Sequence, residues 1–224
     1  MNAGTELLSL EGPAGTIDVA LDRPSGASRA IAVIAHPHPL FGGTRDNKVV
    51  QTLARALLDL GFACWRPNFR GVGETQGHHD EGRGETDDLL AVVAAARRHA
   101  SAPPDPRAPL VLAGFSFGGF VQTRTAQRLR ADGAPTTRLV LVAPAVTRFA
   151  AEPVPEDTVL VHGEQDDVVP LTAILDWARP QTLPIVVLPG AGHFFHGRLP
   201  VLRRIVRDAI AAGLPSDDRE STRL

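Results

Sequence analysis

Pro109–Gly119, which reads PLVLAGFSFGG, constrains this chain more than any other stretch. The run Leu110-Val111-Leu112-Ala113 is continuously apolar, as in a strand buried on both faces. Gly114-Phe115-Ser116-Phe117-Gly118 then forms a turn, and Val121–Arg130 behind it has helical character. Strand, tight turn and helix with a serine at the apex require glycine on either side. The residues two before and two after the serine are expected to pack against each other, leaving no room for a Cβ. Such a turn raises the serine hydroxyl above a sheet and aims a helix N-terminus at it. A serine hydroxyl alone is a weak nucleophile, so the pattern demands a histidine base and an acid elsewhere.

The remaining chain supplies a sheet for that turn to sit on. Thr5–Leu10 and Thr16–Leu21 flank a turn-forming linker and predict an antiparallel hairpin. Apolar runs at Ala30–Ala35, Phe62–Arg66, Leu139–Ala143, Thr158–His162 and Ile185–Leu188 predict further strands. Helical periodicity appears over Asp46–Leu60, Glu85–His99, Leu171–Ala178 and Leu199–Ala212. Alternation of this kind predicts an α/β architecture: a mostly parallel sheet of about seven or eight strands, an antiparallel N-terminal hairpin, and helices on both faces. No repeat or composition shift divides the chain, so residues 1–214 read as one domain and the polar segment 215–224 as a disordered tail. Gly77–Gly84 reads as a mobile polar loop.

Composition narrows the function classes. A net charge of −2 over 224 residues gives no basic patch for nucleic acid or an anionic membrane surface. No apolar run approaches the ~20 residues of a membrane helix, and the first residues lack the basic and apolar regions of a secretory signal. A cytoplasmic location is the expectation. The single cysteine, Cys64, allows neither an internal disulfide nor a multi-cysteine zinc site, and its place in a strand suggests a buried small hydrophobe. The dinucleotide fingerprint fails at Gly71-Val72-Gly73, where no glycine follows three residues on. No cofactor is expected, and His36-x-His38 and His78-His79-Asp80 are loop pairs with nothing to fix a metal geometry.

Among eight histidines, His193 is the strongest base candidate, because Gly190-Ala191-Gly192 places it directly after the final strand. His162 reads as structural. The acid lies in Glu164-Gln165-Asp166-Asp167; Asp166 is preferred and Asp167 is the alternative, since one-residue register in a loop is not fixed by pattern. Ser116, Asp166 and His193 follow the order Ser…Asp…His found in the α/β-hydrolase fold. The oxyanion of a tetrahedral intermediate needs two donors. The Phe117 amide, at the helix N-terminus, is one. The loop after Ala30–Ala35 should give the other, and Pro37 and Pro39 have no N–H, which leaves His38 or Leu40. Leu40, Phe115 and Phe194 are candidate substrate-binding residues; Phe195 and Trp177 are further aromatics that could line an acyl pocket. Arg70 reads as a loop anchor.

Over nearly its whole length the chain resembles the small cap-less bacterial α/β-hydrolases. The resemblance is carried by His36-Pro37-His38-Pro39 with Gly42-Gly43, by Asn68-Phe69-Arg70-Gly71-Val72-Gly73, and by Gly192-His193-Phe194-Phe195-His196-Gly197. It implies that the second oxyanion donor is the His38 amide. The chain is distantly similar to dienelactone hydrolases, which use cysteine where Ser116 stands, so their substrates are not implied. Pro144–Asp157 is too short and proline-rich for a helical cap, which predicts an open site. The expected activity is hydrolysis of small, accessible carboxylic esters, with thioester or amide cleavage by the same residues as alternatives. A non-catalytic binding module is the competing class. The partner is then a small-molecule ester; oligomeric state is left open.

Overall fold

Residue parity along the strands decides which layer each side chain enters. The computed structural model describes residues 4–214 apart from Pro106, so the expected disordered tail, 215–224, lies outside the described residues. Eight strands form one sheet: β1 Thr5–Gly12, β2 Gly15–Asp22, β3 Ala30–Ala35, β4 Phe62–Pro67, β5 Leu110–Phe115, β6 Arg138–Val142, β7 Val159–Gly163 and β8 Val186–Leu188. Their spatial order is β1-β2-β4-β3-β5-β6-β7-β8. β1 and β2 pair antiparallel, β2 meets β4 antiparallel, and all later pairings are parallel.

In β3, Ala30, Ala32 and Ile34 enter one core, while Ile31, Val33 and Ala35 enter the other. β5 divides in the same way, with Leu110 and Leu112 on one face and Val111, Ala113 and Phe115 opposite. Period-two side chains that are apolar at every position fit a strand covered on both faces. The helices supply the covers. α1 (Lys48–Leu58) and α5 (Leu199–Ala212) close one face. α2 (Arg83–Arg98), α3 (Phe117–Ala131) and α4 (Leu171–Ala178) lie on the other.

α1 shows how the sequence sets a boundary. Asn47 Oδ1 accepts the Val49 amide as an N-cap, and Gly61 (φ +81°) takes the left-handed conformation just beyond the last turn. Val49, Val50, Leu53 and Leu57 between them are fully buried, each stabilising by roughly 1.5–3 kcal/mol relative to exposure.

Residues 143–158, which connect β6 to β7, contain neither helix nor strand, so no helical cap rises over the sheet there. The segment expected to be a mobile loop is tied down instead. Glu85, fully buried, accepts the Asp80 amide (2.9 Å) and the Gly82 amide (2.9 Å), and His79 Nδ1 lies 2.7 Å from it. A buried carboxylate needs such donors, and they fold residues 79–82 against the start of α2. Arg70 is a loop anchor, bonded to both oxygens of Asp88 (2.6 and 3.0 Å). Cys64 is buried and free. No helix among the described residues is long and apolar enough to cross a membrane.

Candidate active site

Ser116 sits between β5 and α3 with φ +54° and ψ −118°, a backbone conformation that L-residues seldom hold. Three backbone bonds keep it there: its amide donates to Val142 (3.0 Å), and its carbonyl accepts from Phe120 (3.2 Å) and Ala145 (3.1 Å). The flanking glycines are sterically required, although not by each other alone. A Cβ on Gly114 would strike the Gly118–Gly119 backbone, whereas one on Gly118 would strike the Ala35–His36 backbone. The reason is that β5 runs beside β3, with Ala35 opposite Gly114, so α3 begins directly over the end of β3.

That arrangement brings three of the sequence candidates together. His193 Nε2 lies 3.1 Å from Ser116 Oγ, and His193 Nδ1 lies 2.7 Å from Asp166 Oδ2. With the Nδ1 proton donated to Asp166, the Nε2 lone pair faces the serine hydroxyl. All three residues are buried, at 7%, 4% and 6% exposure, so neighbouring charge is little screened. The backbone sets Asp166 and Asp167 in different surroundings. Asp166 Oδ1 accepts the Val168 and Val169 amides (2.9 and 2.7 Å), which turns Oδ2 toward His193, while Asp167 is exposed. Burial opposes ionisation of Asp166. The bonds from His193 and Val169, with the nearby histidines, outweigh it and hold the carboxyl below its ordinary range.

The loops bearing Asp166 and His193 are fastened to one another. Gln165 donates to Ala191 (2.9 Å) and Gly190 donates to Glu164 (2.8 Å); a Cβ on Gly163 would strike the Ala191 carbonyl. His162 is buried, its Nε2 donates to the Val169 carbonyl (2.9 Å), and burial pushes its pKa down against the attraction of Asp166.

The serine opens into a cavity of about 380 Å³ whose wall includes His38, Phe41, Phe117, Arg148, Phe149, Val168, His193 and Phe194. Phe194 therefore lies where the sequence placed it. Phe115 and Leu40 do not line the cavity. Phe115 is fully buried on the α1/α5 side, with its ring 4.9 Å from that of His193. Leu40 falls in a 3-10 turn, Pro39–Phe41, that points it into solvent at 69% exposure. Phe195 is buried and Trp177 bonds the Ala151 carbonyl, both away from this wall. Phe41 belongs to the Pro39-Leu40-Phe41 segment that the sequence suggests for substrate choice, whereas Arg148 and Phe149 were not singled out; they lie in a loop without periodicity, and only the fold brings them to the mouth.

His36 fixes the loop that carries His38. Its Nδ1 donates to the Pro37 carbonyl (2.6 Å) and its Nε2 accepts the Phe69 amide (2.8 Å), so the ring is a neutral bridge between the loops after β3 and β4. Burial lowers its pKa to about 4, against the Pro37 bond and with help from Arg45. An unfolded chain protonates this ring near 6.5. Above that pH both states are neutral; below it only the unfolded state takes the proton. Stability should therefore fall from pH 6.5 to about 4, by about 3 kcal/mol from this group, and level off below. Urea unfolding across this range should show a loss larger in wild type than in His36→Gln by that amount. Parallel pH curves would refute it. Among the described residues, no group of three or more His, Cys, Asp or Glu is placed to hold a metal.

Comparison with known proteins agrees with this architecture. A family model described as serine aminopeptidase, S33, matches residues 26–156, more than half of the chain. Among solved structures, the chain is similar to XC6422 from Xanthomonas campestris, described as an α/β serine hydrolase without lid. The two are 36% identical, with 96% of this chain and 98% of that one covered and a TM-score of 0.85. It is also similar to an α-β serine hydrolase homologue from Coxiella burnetii, at 38% identity, 93% and 98% coverage and a TM-score of 0.81. An uncharacterized Rickettsia prowazekii protein, RP471, is 28% identical over 88% of this chain and 85% of its own. The fold and these relatives define an α/β serine hydrolase. The chain belongs to the family described as serine aminopeptidase, S33.

Proposed function

We propose that the protein hydrolyses carboxylic esters of small, accessible acyl groups, with Ser116 as nucleophile, His193 as general base and acid, and Asp166 orienting His193. The observation that carries this is the continuous chain Asp166 Oδ2–His193 Nδ1 and His193 Nε2–Ser116 Oγ, at 2.7 and 3.1 Å, opening onto a cavity. Ser116 Oγ adds to the acyl carbon as its proton passes to Nε2. Asp166 stabilises the imidazolium. The imidazolium gives its proton to the departing alkoxide; water, deprotonated by the same nitrogen, then adds to the acyl carbon, and the acyl–Oγ bond breaks as that proton passes to Ser116 Oγ, freeing the acid and restoring the serine.

The Phe117 and His38 amides are the oxyanion donors in this reading. The Leu40 amide already donates to His38 Nδ1 (3.2 Å), which favours the His38 amide over the Leu40 amide. The His38 ring lies tilted against the Phe117 ring, centroids 4.8 Å apart, so the two donors belong to residues that pack together. Esters are favoured over aminopeptidase substrates by the cavity wall. No Asp or Glu lines it among the described residues, so a peptide's terminal ammonium would be desolvated without a partner.

Turnover of p-nitrophenyl acetate and butyrate should show a burst stoichiometric with enzyme, then a slower steady rate as the acyl-enzyme hydrolyses. Because no cap excludes water, activity should decline from butyrate to palmitate. Absence of Ser116-dependent turnover on every ester, with thioesters or amides cleaved instead, would move the assignment within the same mechanism. Inertness toward all three would leave the binding-module reading.

A further inference from the structure

The cavity beside Ser116 is electrostatically one-sided. Its ionisable lining consists of His38, Arg148 and His193, with no carboxylate among the described residues. Arg148 is exposed and carries no ion pair among the described residues; its guanidinium rests 5.7 Å from the Phe41 ring centroid. Other arginines near the site are occupied: Arg45 with Asp18, Arg66 with Asp22, and Arg70 with Asp88. The Phe41 face holds the guanidinium plane at the rim without consuming any of its N–H donors.

Two further features make that charge effective inside the cavity. Phe149, Val168 and Phe194 present low-dielectric walls, which focus the field of a cation across the opening. The α3 N-terminus adds positive partial charge at Ser116. Burial, then the neighbouring His79 and Arg148, push the His38 pKa down against the attraction of Glu85. A purely apolar ester would leave this positive rim unused.

We propose that Arg148 forms a subsite for a carboxylate carried by the substrate, so that the preferred ester is anionic at a position remote from the scissile carbonyl. This rests on the ester-hydrolase reading and specifies its substrate class. A carboxylate matches the planar fork of Arg148 in a bidentate pair, whereas an ammonium at the same place is repelled. The subsite acts on binding and takes no part in bond making.

The test uses matched esters on the purified full chain. Charge on the acyl side is read with monomethyl adipate against methyl hexanoate. Charge on the alcohol side is read with 4-acetoxybenzoate against 4-acetoxybenzamide. Wild type should favour the charged member in one of the pairs. Arg148→Gln should lower that charged-to-neutral ratio of kcat/KM by roughly tenfold, chiefly through KM. Arg148→Lys should retain part of the preference, and added salt should reduce it in wild type. An identical ratio in wild type and Arg148→Gln for both pairs overturns the subsite while leaving the esterase reading intact. If wild type turns over none of the esters in a Ser116-dependent manner, the underlying reading falls and the subsite falls with it.

Discussion

Ser116→Ala is expected to reduce kcat on short esters by on the order of 10⁴–10⁶ and to abolish the acyl burst. The size of the effect follows from where the hydroxyl sits. Among the described residues, Ser116 Oγ is the hydroxyl placed 3.1 Å from His193 Nε2, whose Nδ1 lies 2.7 Å from Asp166. His193→Ala should cost about as much, and the double variant little more, because base and nucleophile act as one unit. Stability gives an independent control. The strained φ of +54° is imposed by the flanking glycines and by backbone bonds to Val142 and Ala145, none of which uses the side chain. Alanine should therefore leave the unfolding midpoint nearly unchanged. An active Ser116→Ala protein, matched in folding to wild type, would place the chemistry on another residue.

Why this turn was legible from sequence, while its surroundings were less so, has a physical explanation. Strands such as Ala30–Ala35 and Leu110–Phe115 are apolar at every position because both faces are covered, so their pattern is local. The serine turn is local as well, since its glycines answer to sterics within a few residues, although Gly118 also answers to β3. Asp166 was preferred with Asp167 as the alternative, because loop register is not written in the pattern; what separates them in the fold is which carboxylate captures the Val168 and Val169 amides. Phe115 was misplaced onto the pocket wall despite a usable signal. It shares strand parity with Val111 and Ala113, hence faces the α1/α5 layer. Arg148 and Phe149 carried no signal at all; their role depends on the β6–β7 connection meeting the Pro39–Phe41 turn across the mouth. Gly77–Gly84 read as mobile because its composition resembles any polar loop, and nothing local shows that the buried Glu85 gathers donors from residues 79–82.

Arg66 carries the other large expected effect. Its side chain is fully buried near the C-terminal end of β4, where Nε and Nη2 donate to Asp22 (2.7 and 3.2 Å) and Nη1 donates to the Arg45 carbonyl (2.9 Å) and to Asp46 (3.3 Å). Asp22, at the end of β2, is equally buried and accepts a third bond, from the Thr5 hydroxyl (2.5 Å). The cluster therefore joins the N-terminal hairpin, the central sheet and the loop leading into α1. Replacing Arg66 with Met keeps much of the apolar stem but leaves the Asp22 charge without a cation in a site closed to water. Removing one partner of such a pair typically costs about 3–5 kcal/mol. Urea unfolding of Arg66→Met should show that loss as a lowered midpoint with little change in slope. Asp22→Leu combined with Arg66→Met should recover a substantial part of it, because an apolar pair of similar volume carries no desolvation penalty. A loss below about 1 kcal/mol in the single variant would mean that Asp22 is neutralised or hydrated in its absence. Two residues beyond Arg66, Asn68 and then Phe69 begin the loop whose amide holds His36. Under native conditions the variant that remains folded should keep its acyl burst, since the His36 bridge is anchored by Phe69 and Pro37 and does not pass through the ion pair.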